Sequence, residues 1–415
     1  MSSNSKSPTA EDGGNSTVTP KLRFPEFEEA AAWKIEKVDK LVDTVTPPQK
    51  LPTSHYASSG EFPIIDQSKL DICGWTSDHA ALIQHGLPLI VFGDHTCILK
   101  LIDRPFAQGA DGIKILKSRP KLETPFLYQY LTYRPVVTEE YKRHYSILKE
   151  KLVPFPDIET GEQQKVADCL ASADALIAAQ GRTVEALKAH KKGLMQQLFP
   201  QEGETQPCLR FPEFEGTGEW EEGTISDIGT VLQGYGFPER YQGQQSGDFP
   251  FYKVSDISKS LGAGKTFIEE AANYVNKNQL KELRAKPIPA GTTIFAKIGE
   301  AIRSNKRAIT TVPCLIDNNA AGVKTIRGKA TDFFIYLTME QISLIDHAGG
   351  VVPAVNKSSI EAIPVKFPKV EEQQRIADCL TSLDDLIGTE TRKLDTLKTH
   401  KKGLMQQLFP QVGEE

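Results

Sequence analysis

The chain has 415 residues, 39% of them hydrophobic, enough for two or three domains with real cores. No apolar run approaches membrane-spanning length and the N-terminus lacks the basic and hydrophobic regions of a signal peptide, so a cytoplasmic protein with no membrane association is expected. Six cysteines over this length do not make a disulfide framework, and a net charge of −5 argues against indiscriminate nucleic-acid binding while leaving room for a local basic face.

Residues 1–20, rich in Ser, Thr and Asn, cannot bury enough surface to fold and read as a disordered leader. The segment LRFPEFE then opens at Leu22 and is followed by Trp33; it recurs at Leu209, followed by Trp220. Each copy leads into a unit of short apolar runs punctuated by Gly and Pro, residues 21–156 and 209–368. LPLIVFG (87–93) and TTIFAKIG (292–299) read as buried strands. PFLYQYL (125–131) and DFFIYLT (332–338) read as helices, each opening after a Thr or Asp that can cap it. The offset between the copies is 209 − 22 = 187 at their openings and is read as 322 − 112 = 210 at Gly112 and Gly322, which puts 23 extra residues in the second unit, mostly within 256–289.

A long helical segment follows each unit, residues 157–208 with their linker and residues 369–415. From Glu162 and Glu372 onward the two match without a gap through HKKGLMQQLFPQ, with 26 of 40 positions identical. Internal repetition at this period means two large equivalent units rather than a solenoid. Alternate steps of four and three meet Val166, Leu170, Ile177, Val184, Leu187 and Leu194 in the first copy. In the second they meet Ile376, Leu380, Leu383, Ile387, Leu394, Leu397 and Leu404. A narrow apolar seam sustained over more than four heptads must bury itself against another helix, and the other copy is the obvious partner. At 1.5 Å per residue such a helix is a rod of roughly 55 Å.

The paired EQQ...ADCL...HKKGLMQQLFP helices, the LRFPEF openings with their downstream Trp, VFGDHT (91–96), FAQGADGIKIL (106–116) and IDNNAAG (316–322) together resemble the specificity subunit, HsdS, of type I restriction-modification systems. The resemblance covers nearly the whole chain after the leader. It implies a mixed α/β (α+β) fold with a pseudo-twofold internal repeat: two globular target recognition domains separated by two long conserved helices in an antiparallel coiled coil. It also implies a non-catalytic subunit that binds double-stranded DNA, each domain reading one half of a bipartite asymmetric site. The helices would set the half-site spacing and dock two methyltransferase subunits, to which restriction subunits bind. No cofactor is expected in this subunit; S-adenosylmethionine, ATP and Mg belong to the partners. A coiled-coil scaffold and a self-contained nuclease built around Asp157 remain the alternatives.

Phosphate neutralisation needs clustered cations, and Arg and Gln suit guanine and adenine edges. In the second unit Lys297, Arg303, Lys306 and Arg307, with Gln233, Tyr235 and Arg240 on a Gly-flexed loop, are candidate DNA-binding residues. In the first unit the candidates are Asp94 and His95 in the GDHT turn, with Lys100 and Arg104. Solvated charged faces and plain strand-end turns are the competing readings. GAGKT (262–266) imitates a phosphate-binding loop but lacks its first glycine, since Lys259 stands there. Cys73, His79, His85, His95 and Cys97 lack any close metal-ligand pair, and no metal or catalytic residue is assigned.

Overall fold

The computed structural model describes residues 17–110, 112–137, 143–262 and 265–413. The leader's residues 1–16 and the centre of the GAGKT stretch lie outside them. The leader's last residues are described and are not loose: Thr17–Val18 form a strand against the segment carrying Trp33, and Pro20 is buried. The chain divides into two compact units, one running to Gln180 and resuming at Lys393, the other from Gly181 to Arg392.

The first unit contains β1 (Thr17–Val18), β2 (Trp33–Lys37), β3 (Val42–Val45), β4 (Phe62–Ile65), β5 (Gly74–Thr76), β6 (Leu82–Ile83), β7 (Leu89–Gly93), β8 (Leu99–Ile102), β9 (Phe106–Gln108), β10 (Ile113–Ser118), α1 (Thr124–Tyr133), α2 (Tyr145–Glu150), β11 (Leu152–Phe155) and the start of α3 (Glu162–Leu198). Its sheets run β3-β10-β7-β8, β5-β4-β9-β6 and β1-β2-β11. All five residues of β7 are buried, so an unbroken apolar run becomes the central strand.

The second unit repeats the plan with β12 (Glu221–Thr224), α4 (Ile225–Ile228), β13 (Gly229–Gln233), β14 (Phe249–Tyr252), α5 (Val254–Gly262), β15 (Phe267–Ile268), β16 (Tyr274–Val275), α6 (Lys277–Glu282), β17 (Thr293–Ala296), β18 (Arg307–Thr310), β19 (Leu315–Ile316), β20 (Ala320–Thr325), α7 (Asp332–Gln341), α8 (Lys357–Glu361), β21 (Pro364–Phe367) and α9 (Val370–Leu408). Its main sheet, β13-β20-β17-β18-β15, matches β3-β10-β7-β8 with one added edge strand from the longer insertion. The strand register corrects the offset. Ser118 faces Val42 and Thr325 faces Gly229, so the copies stand 325 − 118 = 207 apart there, and the Gly112–Gly322 alignment is slipped by three residues.

The repeated motifs are docking parts. Arg23 donates to Glu162 at 2.8 and 2.6 Å, and Arg210 to Glu372 at 2.8 and 2.7 Å, so each LRFPEF opening is clasped bidentately to the first turn of a long helix. Lys165 pairs with Glu26, and Arg375 with Glu213, in the same two places. The next residues, Gln163 and Gln373, are fully buried. Gln163 accepts from the Glu123 N–H and donates to Lys121 O and Pro156 O. Gln373 does the same with Thr331 N–H, Lys329 O and Pro368 O. The expected capping therefore holds for α7, where Thr331 Oγ1 accepts from Phe334 N–H. It does not for α1, whose N-cap is Glu123 with no side-chain bond of its own; the long helix supplies the acceptor instead.

None of the thirteen seam residues is exposed, and the helices pair antiparallel within each unit. In the first, Val166, Ala167 and Leu170 share a core with Met405, Leu408 and Phe409; in the second, Ile376 and Leu380 share one with Leu198 and Phe199. Phe409 sits 5.5 Å from Phe126 and 5.3 Å from Tyr130, and Phe199 sits 5.7 Å from Trp220 and 5.6 Å from Phe334. Each LFP end thus plugs an aromatic core, which explains why the motif is repeated intact while the middles of the helices diverge.

Candidate nucleic-acid interface

In the second unit β13, β17, β18 and β20 bring one set of strand ends together, with Gln233 opposite Ala321, Ala296 opposite Ala320, and Phe295 opposite Arg307. Gln233 and Lys297 meet at this edge, Lys297 Nζ donating to Gln233 Oε1. Burial pushes the Lys297 ammonium below its usual value, with the Asp317 carboxylate opposing. Arg303 and Lys306 follow on the adjoining turn; Arg303 is 60% exposed and only loosely tied to Glu300. Tyr235 continues from β13, where the chain passes so close to Asp317 that a Cβ on Gly234 would lie 1.8 Å from the Asp317 carbonyl oxygen. The Tyr235 hydroxyl is occupied by the Lys286 N–H at 3.0 Å. Arg240 is exposed, stacks on Tyr241 and lies 3.6 Å from Glu282 of α6.

Arg307, a candidate for phosphate contact, is turned into the protein instead. It is 2% exposed, donates to Met339 O, Ile342 O and Asn305 Oδ1, and lies over the Phe295 ring. Burial lowers its pKa to about 10. Its charge serves the carbonyl ends of α7, because the alternation of β18 points it inward.

The equivalent edge of the first unit carries the GDHT turn, and two of its candidates are likewise committed inward. Asp94 is 6% exposed; its carboxylate accepts from Tyr145 N–H at 2.8 Å and its carbonyl from His144 N–H at 2.9 Å. Lys100 is buried and holds the loop before β5 through Asp66 O and Leu70 O. His95 remains half-buried in the turn. Arg104 is exposed, but β8 runs away from the turn, so the structure places it at the opposite end of the sheet from Asp94 and His95. Among the described residues no group of three His, Cys, Asp or Glu side chains could hold a metal ion; Cys73 instead donates to Asp66 Oδ1 at 2.7 Å.

The profile of the type I restriction modification DNA specificity domain matches residues 217–399, the second unit with most of its helix, and the internal repeat extends that plan to the first. In this domain and in its relatives the chain is similar to the type I restriction-modification specificity subunits. The Escherichia coli EcoR124I/EcoR124II specificity subunit is 23% identical over 82% of this chain and 83% of its own length. The Methanocaldococcus jannaschii MjaX specificity subunit is 26% identical over 63% of this chain, and the match spans 59% of that protein. The fold is shared with a type I system S subunit from M. genitalium, with a TM-score of 0.63 at 16% identity over 95% of this chain and all of that one. A chain from a type I R-M system structure concerned with complex assembly and conformational transition gives 0.52 at 13% identity, over 91% and 97%.

Residue type alone did not distinguish the docking residues of this chain from its candidate readers. Arg23, Arg210, Gln163 and Gln373 were legible only as repeated letters, and that repetition at both ends of both helices is the signal of a docking role.

Proposed function

We propose that this chain is the DNA sequence-recognition subunit of a cytoplasmic type I restriction-modification complex and carries no chemistry of its own. Each unit reads one half of a bipartite asymmetric site in double-stranded DNA. The helices set the half-site spacing and dock two methyltransferase subunits, and restriction subunits bind that core; S-adenosylmethionine, ATP and Mg are the partners' cofactors. The observation that carries this reading is the contrast between identical docking and different edges. Both units are fastened by the same Arg–Glu and Gln clasps. Their corresponding sheet edges carry the GDHT turn, with Asp94 turned inward and His95 half-buried, in one and Lys297, Gln233, Arg303 and Lys306 in the other. Divergent chemistry on a common mount suits one task performed on two half-sites.

The nuclease alternative finds no free machinery around Asp157, which accepts from Glu159 N–H and pairs with Lys34, while Gln163 and Lys165 are engaged in docking. Exchange of residues 209–368 for the corresponding unit of a relative, followed by long-read mapping of methylated motifs, is expected to change one half of the motif only. Both halves changing together would reject independent reading. DNA association of the assembled complex that is absent or insensitive to salt would favour the scaffold.

A further inference from the structure

Among the described residues of the second unit the two most exposed large apolar side chains are neighbours. Val351 is fully exposed, at 105%, more than any other large apolar side chain described, and Val352 beside it is 62% exposed. Single exposed apolar residues are ordinary on protein surfaces, but these two are adjacent and stand at the tip of a turn that is held in place. Gly349 and Ala354 exchange both backbone hydrogen bonds, at 3.0 and 3.1 Å. Gly350, with φ of +91°, makes the reversal that a β-branched residue resists. The base of the turn is tied to the sheet edge described above: Gly299 N–H donates to Pro353 O at 2.8 Å, and Val355 N–H to Lys297 O at 2.9 Å. Val355, three residues beyond Val352, is buried, so the chain seats one valine and presents two.

We infer that the 349–353 turn is an apolar base reader of the second unit, in which Val351 and Val352 contact thymine C5-methyl groups in the major groove; this rests on the DNA-recognition reading above. The occupant follows from the surroundings. The turn is bonded directly to the strand carrying Lys297, and the segment leading on from that strand brings Arg303 and Lys306, cations suited to a phosphate backbone. The thymine methyl is the apolar group that the major groove displays, and it distinguishes A·T from the other pairs. Minor-groove wedges use Phe, Leu, Ile, Met or Pro to pry base steps apart. Valine is short and β-branched, which suits surface contact with a methyl and not insertion.

The test uses the full chain assembled with its methyltransferase subunits, on duplexes carrying the mapped motif, with the second unit's half-site assigned by the exchange above. Uracil replaces thymine one position at a time, which removes the methyl and leaves base pairing intact. The expected result is about fourfold weaker binding for each contacted methyl lost, confined to one or two positions of that half-site. The V351S, V352S complex should bind thymine and uracil duplexes equally and keep the wild-type salt slope; both side chains are exposed, and V351A, V352A serves as a second variant should the first fail to assemble. A half-site without an A·T pair, a flat uracil scan, or a serine variant with undiminished uracil sensitivity overturns the inference. So does a serine variant that loses its methyltransferase subunits, since the turn would then be a protein contact. Wild-type complex with no salt-dependent, motif-specific binding defeats the function itself, an outcome distinct from specific binding with a flat scan.

Discussion

Lys306 and Arg307 are neighbours with opposite fates. Successive side chains in a strand point to opposite faces, and Arg307, the first residue of β18, turns inward to Met339 O, Ile342 O and Asn305 Oδ1 while Lys306 stays partly exposed. Lys306→Ala is therefore expected to leave stability within about 0.5 kcal/mol of wild type and to lower the salt slope of DNA binding by about one. Arg307→Ala is expected to cost about 3 kcal/mol or more, because it strands buried carbonyls that a charged donor had satisfied. Denaturant melts and salt titrations of both variants separate the two; a stable Arg307→Ala protein with a reduced slope would return Arg307 to the DNA surface. The same reasoning explains what the sequence could and could not say about Asp94 and Lys100. Composition identified charged residues near strand ends, but only side-chain direction decides whether a charge faces DNA or fastens a loop, and a three-residue slip of register is enough to misplace it.

At the scale of the element the long helices and their polar steps were legible, and the partners of those steps were not. A 3.5-residue period predicts the burial of Val166, Leu170, Ile376 and Leu380, yet the same seam carries Lys191 and Lys401. Lys191 pairs with Asp384 at 2.7 Å and Lys401 with Asp174 at 2.5 Å, and the residue numbers of each pair, 191 with 384 and 174 with 401, add to 575. A polar pair in an apolar seam fixes register at some cost in stability. Lys191→Met, which strands Asp384, is expected to destabilise by about 1–3 kcal/mol, the pair being only partly buried. The exchange K191D, D384K should recover most of that loss; an exchange as damaging as the single change would show that the pair has no register role. Beside it lies Glu340, which accepts from Tyr336 Oη at 2.7 Å and is faced by Lys191, Asp384 and Arg307. Burial raises its pKa above the ordinary 4.5, so the folded state holds this proton longer than the unfolded one. The stabilising contribution is complete below pH 4.5 and is lost as pH rises through the folded value. Glu340→Gln should accordingly gain on wild type as pH rises from about 4.5, with the difference levelling once the folded carboxyl has titrated. Melting curves across pH check this, and a constant difference would show that the Glu340 carboxyl is not held protonated.

For the whole molecule, the repeat announced two equivalent units, and the clasps show how one sequence motif can be mounted twice. The structure changes how the role of the helices as a ruler is best tested. An insertion in α3 alone, between Ala178 and Glu185, leaves Asp174 and Lys191 displaced relative to partners on an unaltered α9. Matched four-residue insertions, one there and one between Glu390 and Leu397 of α9, keep both lysine–aspartate pairs in register, since 178 and 397, like 185 and 390, also add to 575. Four residues add about 6 Å to a helix, comparable to the rise of about two base pairs at ~3.4 Å each, and a four-residue stutter locally unwinds a supercoil. The doubly inserted protein is expected to assemble, to methylate the same bases in each half-site, and to require a nonspecific spacer longer by about two base pairs. The insertion in α3 alone should assemble poorly, because one ion pair or the other must break. Motif mapping on the host genome reads both outcomes directly: if the doubly inserted complex is active and its mapped spacer is unchanged, the distance between half-sites is set somewhere other than in these helices.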